Sequence, residues 1–445
     1  MAGVPSALAQ SLSSDPWSGT WLGTLKVGAL SLRVAFNVTM AFGSYTATMD
    51  SLDQGAKGIP VTRVDAANGS ITLEVKSANG AFTGALAADG LSISGTWSQG
   101  GGTLPLVLLK QAGPVALARP QDPVPPFPYS STDVTFTDAK AGVTLAGTLT
   151  MPPGKGPFPA LVLVTGSGPQ NRDEEIMGHR PFAVIADFLT RAGIAVLRYD
   201  DRGVARSGGT FATGTTMDFA DDAEAAFTFL AARPEVDPKR VGIAGHSEGG
   251  LIAPIVAARN PAVAFIVLLA GPGLRGSDLL LAQAAAIGRA SGESDATVAW
   301  ASALNAKLYG IAMQQGDVAT IRDTAKKAYL DAITGAPLTD QQKTEARNNA
   351  EATVAPLLTP WFRMFLALNP ADYLSKVRVP VLALNGTRDL QVPADQDLAA
   401  IRAALDAGHN THYKTVALDG LNHLFQHTAT GLPSEYSSIS ETFAP

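Results

Sequence analysis

Short runs of alternating hydrophobic and polar residues fill the first part of the chain. Examples are Leu32–Met40 and Leu91–Trp97, and the dipeptides Asn68-Gly69, Asn79-Gly80 and Asp89-Gly90 separate such runs. A period of two indicates strands with one buried face, and Asn-Gly or Asp-Gly supplies the positive φ angles of tight hairpins. The pattern predicts an antiparallel β-sheet or barrel domain over residues 17–110.

The pattern changes after a proline-rich segment. Residues 111–129, which contain ARPQDPVPPFP, favour an extended linker because proline fixes φ and removes a backbone donor. From residue 130 to residue 445, continuous apolar runs such as Ala160–Thr165 and Val241–Ala244 alternate with helical patterns such as Pro181–Ala192. Continuous apolar runs are typical of parallel strands that are buried on both faces. This part is predicted to be a mostly parallel, doubly wound sheet.

One interval interrupts the alternation of strands and helices. Residues from about 272 to 375 contain amphipathic helical stretches and no convincing strand pattern. A long insertion between two core strands is usually functional. We therefore expect a helical cap over this interval.

The strongest chemical signal is a G-x-S-x-G motif, Gly245-His246-Ser247-Glu248-Gly249. It follows the apolar run Val241–Ala244 and precedes a helical pattern, which is the strand–turn–helix context of a serine nucleophile. The alternative is a glycine-rich structural turn. Ser247 is the predicted nucleophile, and it requires a base because a free hydroxyl is a poor nucleophile.

The acid and the base are expected after Ser247 along the chain. Asp389 follows the apolar run Val379–Asn385, whereas its rivals Asp395 and Asp397 lie at the start of the next helical pattern. His423 follows the predicted strand Tyr413–Leu418. His409 and His412 precede that strand, at the wrong end of the sheet, and His427 lies one helical turn after His423. Asp389 and His423 are therefore the predicted acid and base.

An acyl-transfer site also needs donors for an oxyanion. The backbone N–H groups of Glu248, directly after the nucleophile, and of Ser167, in the loop after Ala160–Thr165, are the predicted donors. The Glu248 side chain is expected to favour the positive end of a helix, with orientation of a substrate amine as the alternative. Asp200, Asp201 and Arg202 are expected to brace loops around the site.

Composition narrows the functional classes. The net charge is −6 without a long Lys/Arg run, so nucleic acids and anionic membrane surfaces are poor candidates as partners. No apolar run is long enough to span a bilayer. The absence of cysteine excludes disulfides and a thiol nucleophile. The pairs His409/His412 and His423/His427 lack a third ligand nearby, so neither a metal nor another cofactor is expected.

The start of the sequence predicts export. Within residues 1–16, Ala7-Leu8-Ala9 fits the small-residue pattern that precedes a signal-peptidase cut, although the basic and apolar parts of a signal peptide are missing. A flexible alanine-rich start is the alternative. We therefore expect a periplasmic or secreted protein. The β domain is expected to have a structural role, and a homodimer is possible.

The second part of the chain resembles a known family. The segments GSGPQNRDE, HRPF, LRYDDRGVARSGG, GHSEGG, NGTRDLQVP and LDGLNHLFQ occur in the order seen in bacterial α/β-hydrolases similar to the EstD-like carboxylesterases. The resemblance covers about Val134 to Phe443. It implies a cofactor-free carboxylesterase with an N-terminal β domain, and it implies the same roles for Ser247, Asp389 and His423. Such chains usually finish with a further helix, whereas this sequence ends at Pro445.

These observations predict a serine carboxylesterase that acts on short-chain or aryl esters of small molecules. Trp361, Phe362 and Phe365 are candidates for the wall of an apolar substrate pocket, or equally for the core of the cap. The alternatives are a serine peptidase of the prolyl-oligopeptidase or aminopeptidase kind, for which Glu248 is an argument, and a thioesterase.

Overall fold

The structure, a computed structural model, describes residues 15–27, 30–41, 44–54, 56–113 and 119–445. The chain divides into two units between residues 118 and 119. Apart from Asp15 and Pro16, the predicted signal remnant lies outside the described residues, as does part of the predicted linker.

The first unit contains one antiparallel sheet. Its strands are β1 (Gly19–Val27), β2 (Leu30–Ala41), β3 (Ser44–Ser51), β4 (Ala56–Val61), β5 (Arg63–Ala67), β6 (Ser70–Val75), β7 (Gly80–Leu86), β8 (Ser92–Gln99) and β9 (Gly102–Gln111). Their order in the sheet is β4-β3-β2-β1-β9-β8-β7-β6-β5.

The two outermost strands of this sheet are consecutive in the chain. Only Thr62 separates β4 from β5, and the Thr62 N–H donates to the carbonyl of Glu74 in β6 at 2.7 Å. The sheet must therefore curl until its two edges meet. Alternate side chains point inward, and a single apolar core that includes Trp21, Phe36 and Phe82 results.

The second unit contains a mixed sheet of eight strands. They are β10 (Ser130–Asp138), β11 (Val143–Met151), β12 (Phe158–Val164), β13 (Ala195–Tyr199), β14 (Val236–His246), β15 (Ile266–Leu269), β16 (Val381–Gly386) and β17 (Tyr413–Leu418). The order is β10-β11-β13-β12-β14-β15-β16-β17. Strands β10 and β11 are antiparallel to their neighbours, and the other strands are parallel to one another.

Helices occupy the connections between these strands. They are α1 (Pro181–Arg191), α2 (Thr216–Ala231), α3 (Glu248–Arg259), α4 (Gly276–Ala290), α5 (Asp295–Ala312), α6 (Val318–Thr334), α7 (Asp340–Asn348), α8 (Ala350–Val354), α9 (Pro360–Ala367), α10 (Ala371–Leu374) and α11 (Ala394–Ala407). No helix in the described ranges is long and apolar enough to cross a membrane.

The sheet is covered on both faces because successive strand residues point in opposite directions. Leu161 and Leu163 of β12 pack with Phe182 of α1. Val162, between them, belongs to the core that α2, α3 and α11 cover. The loops after the parallel strands therefore gather at the carboxyl edge of the sheet, where sites in open α/β sheets form.

Helices α4 to α10 fill the interval between β15 and β16, where the sequence predicts a cap. Several of them have their own apolar core, which includes Leu308, Tyr329 and Val354 and is separate from the core of the sheet. Helix α9 contributes to both cores, with Leu366 in the helical one and Phe365 in the core of the sheet. This helix therefore joins the insertion to the sheet.

Candidate active site

Ser247 stands at a sharp turn between β14 and α3. Its φ of 52° and ψ of −118° lie outside the ordinary regions for a residue with a side chain. Strain of this kind persists only where the surroundings hold it. The Ser247 N–H donates to the carbonyl of Leu269 in β15 at 2.9 Å, and its carbonyl accepts from Gly250. The turn therefore fixes a half-buried hydroxyl at the carboxyl edge of the sheet.

The glycines of the motif are required by close backbone contacts. A Cβ on Gly245 would lie 1.9 Å from the carbonyl oxygen of Gly249, and one on Gly249 would lie 2.2 Å from that of Val164. A Cβ on Gly250 would lie 2.5 Å from the Cα of Gly271. Contacts this short allow no side chain, so the glycines permit α3 to begin against β12 and β15.

Asp389 and His423 form a buried pair. His423 Nδ1 lies 2.8 Å from Asp389 Oδ2, and the Asp389 side chain has no solvent exposure. The other Asp389 oxygen accepts from the backbone N–H groups of Gln391 and Val392 at 2.8 and 2.9 Å. Because the ionised carboxylate only accepts, His423 carries its proton on Nδ1. His423 Nε2 is left as an acceptor for a proton from a nucleophile.

The structure places the alternative acids and bases elsewhere. Asp395 is exposed. Asp397 is buried on α11 and accepts from the backbone N–H groups of Gly273 and Leu274 at 2.7 and 3.0 Å. Asp397 therefore anchors the loop that follows β15. Burial raises the pKa of Asp397 to about 6.

The other histidines considered as bases lie on the surface. His409 and His412 are exposed at the amino end of β17, and His427 is exposed with its Nδ1 2.9 Å from Glu441. No group of three or more metal-ligating side chains occurs in the part of the chain that the structure describes.

His246 and Glu174, which the sequence reasoning did not single out, link three parts of the site. His246 Nδ1 lies 2.9 Å from Glu174 Oε1, and His246 Nε2 lies 2.9 Å from the backbone carbonyl oxygen of His423. The same Glu174 oxygen accepts the N–H of Gly166 at 2.7 Å. The pair thus connects the residue before the nucleophile, the loop after β12 and the loop that carries His423.

This contact set determines the charge of His246. A carbonyl oxygen and a carboxylate both only accept, so both ring nitrogens of His246 must donate and the ring is an imidazolium. Burial alone would lower the pKa of His246, but the Glu174 carboxylate, the His423 carbonyl and Asp389 together outweigh burial, so the pKa is raised. The His246 and His423 rings have centroids 4.7 Å apart. A buried ion pair therefore lies directly beside the Asp389–His423 pair.

The two predicted oxyanion donors are available. In the described part of the chain, neither the Ser167 N–H nor the Glu248 N–H donates to another group. A Cβ on Gly166 would lie 3.1 Å from Ser247 Cβ, so the loop that contains Ser167 passes directly beside Ser247. Free N–H groups beside a hydroxyl are the arrangement that binds an oxyanion. Ser247 Oγ itself has no hydrogen-bond partner among the described residues.

The side chain of Glu248 is buried and not free for a substrate. Its Oε1 accepts from Thr216 Oγ1 of α2 at 2.6 Å and from Trp361 Nε1 of α9 at 2.7 Å. Burial raises the pKa of Glu248 to about 7. Glu248 therefore joins the nucleophile helix to the inserted helices, a role that neither sequence interpretation of this residue included.

The three aromatic residues of the predicted pocket lie on α9. Trp361 is half-buried and stacks on Phe365, with ring centroids 5.2 Å apart. Phe365 belongs to the core of the sheet, and Phe362 packs against the core of the inserted helices. Trp361 also makes the contact with Glu248 and is thus nearest to the nucleophile helix. Their role in a substrate pocket stays a prediction.

The charged residues after β13 brace loops. Asp201 accepts from Thr165 Oγ1 at 2.8 Å and from the Gln170 N–H at 2.9 Å, which holds both ends of the loop that contains Ser167. Burial, together with the nearby carboxylates of Glu248 and Glu174, raises the pKa of Asp201 to about 8. Arg202 donates to buried Asp222 of α2.

Comparisons with known proteins show which family the chain matches. A family described as "Hydrolase_4: Serine aminopeptidase, S33" matches residues 179–427, more than half of the 445-residue chain. The chain is 27% identical to Esterase EstD of Thermotoga maritima over 321 residues, which cover 72% of this chain and 65% of that esterase. It is 34% identical to Thiohydrolase apmlB of Arthrinium phaeospermum over 131 residues, 28% of this chain and 38% of that protein. The chain spans less than two thirds of the length of these curated relatives.

Solved structures are similar at lower identity. The alpha/beta hydrolase GrgF from Penicillium sp. sh18 is 19% identical, with a TM-score of 0.44, and the match covers 66% of this chain and 91% of that one. The Pyrococcus furiosus esterase Pf2001 is 18% identical, with a TM-score of 0.40, and the match covers 65% of this chain and 83% of that one.

Proposed function

This chain belongs to the family described as Hydrolase_4, serine aminopeptidase S33, and is a serine hydrolase; we propose that its substrates are carboxylic esters of small molecules. Its α/β-hydrolase fold, predicted from the sequence together with the N-terminal antiparallel sheet, is confirmed. The observation that carries the proposal is the buried His423–Asp389 contact of 2.8 Å, at the same sheet edge as the strained turn of Ser247.

The proposed reaction has two steps. His423 Nε2 takes the proton of Ser247 while Ser247 Oγ attacks the ester carbonyl, and Asp389 stabilises the imidazolium that forms. His423 then gives the proton to the leaving alcohol, so an acyl-Ser247 intermediate remains. Water attacks this intermediate with His423 again as base, and the carboxylic acid and free Ser247 result.

The tetrahedral intermediates carry a negative oxygen. The N–H groups of Ser167 and Glu248 are its proposed donors, because within the described residues neither has to leave another partner to bind it. The His246–Glu174 pair is proposed to hold the loop of these donors in place, because Glu174 also accepts the N–H of Gly166.

The first experiment compares hydrolysis of p-nitrophenyl acetate and butyrate by the unaltered chain and by Ser247→Ala. We expect rapid turnover by the unaltered chain and a loss of about 10⁴-fold or more in kcat for the variant. Ser437→Ala, a buried serine remote in sequence from the motif, is the control and should keep its activity. Equal ester turnover by the unaltered chain and Ser247→Ala would refute the proposed nucleophile.

A serine aminopeptidase is the second candidate, because the matching family carries that description. Such an enzyme needs an acidic group for the free amine of its substrate. Glu248 is the acidic residue closest in sequence to Ser247, but its carboxylate is buried and bonded to Thr216 and Trp361. We therefore expect little cleavage of aminoacyl-p-nitroanilides. Anilide cleavage as fast as ester cleavage would favour the peptidase instead.

Other features of the chain are part of the proposal. Short-chain or aryl esters are the proposed substrates. A thioester could be hydrolysed by the same two acyl-transfer steps. Helices α4 to α10 are proposed as a cap that limits access to Ser247. Export to the periplasm or medium and a homodimer stay predictions from the sequence.

A further inference from the structure

A cavity lies on the face of the eight-stranded sheet that α1 covers. It has a volume of about 460 Å³ and opens between α1, the edge strand β10 with its neighbour β11, and the segment 123–129. Ser247 and His423 do not line it. The cavity is therefore distinct from the candidate active site.

Arg198 forms part of the wall of this cavity and is incompletely paired. It lies on β13, points to the α1 face like Val196, and is 8% exposed. Within the described chain, its guanidinium donates only to Asp173, through Nη1, and its Nε has no hydrogen-bond partner. Arginine has five N–H donors, and a buried guanidinium normally has several of them satisfied. This one has capacity for a further acceptor.

The charges around Arg198 favour a further acceptor with one negative charge. Asp173, the partner of Arg198, also accepts from Arg180 through Nε and Nη2, so one carboxylate serves two guanidinium groups. The third arginine of the cavity, Arg172, is already satisfied by Asp200. The carboxylates of Asp133 and Asp187 also line the cavity and oppose a dianion.

The remaining wall is suited to an organic body. Phe127 and Tyr129 stack with their ring centroids 5.3 Å apart, and both line the cavity together with Pro123 and Pro125. Tyr129 is held in place because its hydroxyl donates to Asp187 at 2.6 Å. Apolar walls with a few fixed polar groups are typical of small-molecule sites.

We propose that this cavity binds a small aromatic monocarboxylate, whose carboxylate pairs with Arg198 and Arg180 and whose ring contacts Phe127 and Tyr129. Planar guanidinium groups match the geometry of a carboxylate. The site is connected to the candidate active site through one chain segment. Asp173 contacts the cavity arginines, and the next residue, Glu174, binds Gly166 and His246.

Calorimetric titration of the full chain with benzoate tests the proposal. We expect saturable binding with a Kd of about 1 mM or tighter. Arg198→Gln keeps a polar side chain without the charge, and it should weaken benzoate binding about tenfold or more. Inorganic phosphate should bind more weakly than benzoate because of Asp133 and Asp187.

A second variant leaves the arginine–aspartate contacts intact. Ser131 lines the cavity from the exposed edge strand β10, so Ser131→Trp should fill the cavity and abolish benzoate binding. Thr135→Trp, on the same face of the same strand but not lining the cavity, is the matched control and should bind benzoate like the unaltered chain. If Arg198→Gln does not fold, benzoate binding by the two tryptophan variants tests whether the cavity is the binding site.

Three results would overturn the proposal. The first is an absence of benzoate binding to the unaltered chain, and the second is binding that Ser131→Trp leaves unchanged. The third is tighter binding of phosphate than of benzoate, which would contradict a monocarboxylate ligand. None of these results depends on whether Ser247 is the nucleophile.

Discussion

Glu174 Oε1 lies 2.9 Å from His246 Nδ1 and 2.7 Å from the backbone nitrogen of Gly166, so a single carboxylate oxygen accepts from both. His246 is held at its other nitrogen by the carbonyl of His423. The loop that would bind an oxyanion, the nucleophile turn and the loop of the base are therefore positioned by one buried ion pair.

We predict that Glu174→Gln lowers kcat about 10- to 100-fold with little change in KM. Without the carboxylate, buried His246 loses its proton, and its Nδ1 then needs a donor. The glutamine amide can donate to Nδ1 or accept from Gly166 with its oxygen, but the geometry in which one oxygen serves both groups is lost. Ester hydrolysis at saturating and limiting substrate measures the effect.

Glu175→Gln is the control for this prediction, because Glu175 is adjacent and exposed. It should leave both kinetic constants near those of the unaltered chain. A Glu174→Gln variant that unfolds more readily but retains its full kcat would show that the ion pair serves stability alone.

We predict that Asp389→Asn lowers kcat by about 10⁴. The asparagine amide would donate to His423 Nδ1 and leave the proton on Nε2, where the base must instead accept. Asp395→Asn, at the exposed rival position, should retain activity in the same p-nitrophenyl butyrate assay. A comparable loss in both variants would contradict the assignment of Asp389.

We predict that Gly249→Ala destabilises the fold by at least about 3 kcal/mol, because its Cβ would lie 2.2 Å from the backbone oxygen of Val164, which cannot move freely. Gly310→Ala is the matched control. A Cβ on Gly310, in α5, would meet nothing outside its own helix within 4 Å, so alanine there should stabilise by about 0.5–1 kcal/mol. Urea denaturation measures both changes, and equal effects would refute the packing argument.

We predict that Glu248→Gln stabilises the protein more at about pH 8 than at about pH 5. The pKa of Glu248 is raised from 4.5 to about 7 by burial, so the folded state holds a proton that the unfolded state releases. The stability that this proton contributes is complete below pH 4.5 and is lost as pH rises to about 7. The shift corresponds to roughly 3 kcal/mol at most.

Glutamine retains an oxygen for Thr216 and Trp361 and cannot ionise, so the variant avoids this loss. The free energy of unfolding of both proteins at the two pH values measures the difference. Asp201 and Asp397 also have raised pKa values, so part of the same pH dependence remains after the substitution. A stability difference that is the same at both pH values would contradict the buried-proton explanation.

The pattern of hydrophobic and polar residues along the chain predicts much of the fold. The strand predicted at Tyr413–Leu418 has the same bounds in the structure, and the helix predicted at Pro181–Ala192 ends one residue earlier. These elements are predictable because apolar periodicity reflects which face of an element is buried. The structure also brings Asp389 to His423, as chain order and strand ends predict.

The contacts around the site are not predictable in the same way. Glu174 stands between two other acidic residues, Asp173 and Glu175, and no local pattern distinguishes it as the partner of His246, 72 residues away. Glu248 and Trp361 are 113 residues apart, so no local pattern joins them. Arg198 did carry a signal, because a lone charge within the apolar run Ala195–Tyr199 indicates an unusual buried site.

The single residue between β4 and β5 has a consequence for association. An exposed sheet edge offers unpaired backbone groups to the strands of other molecules, and long edges promote aggregation. In the first unit the outermost strands have only six and five residues, and Thr62 brings them together. Little backbone is left on which a foreign strand could pair, so this unit is protected against fibre growth by edge-to-edge addition.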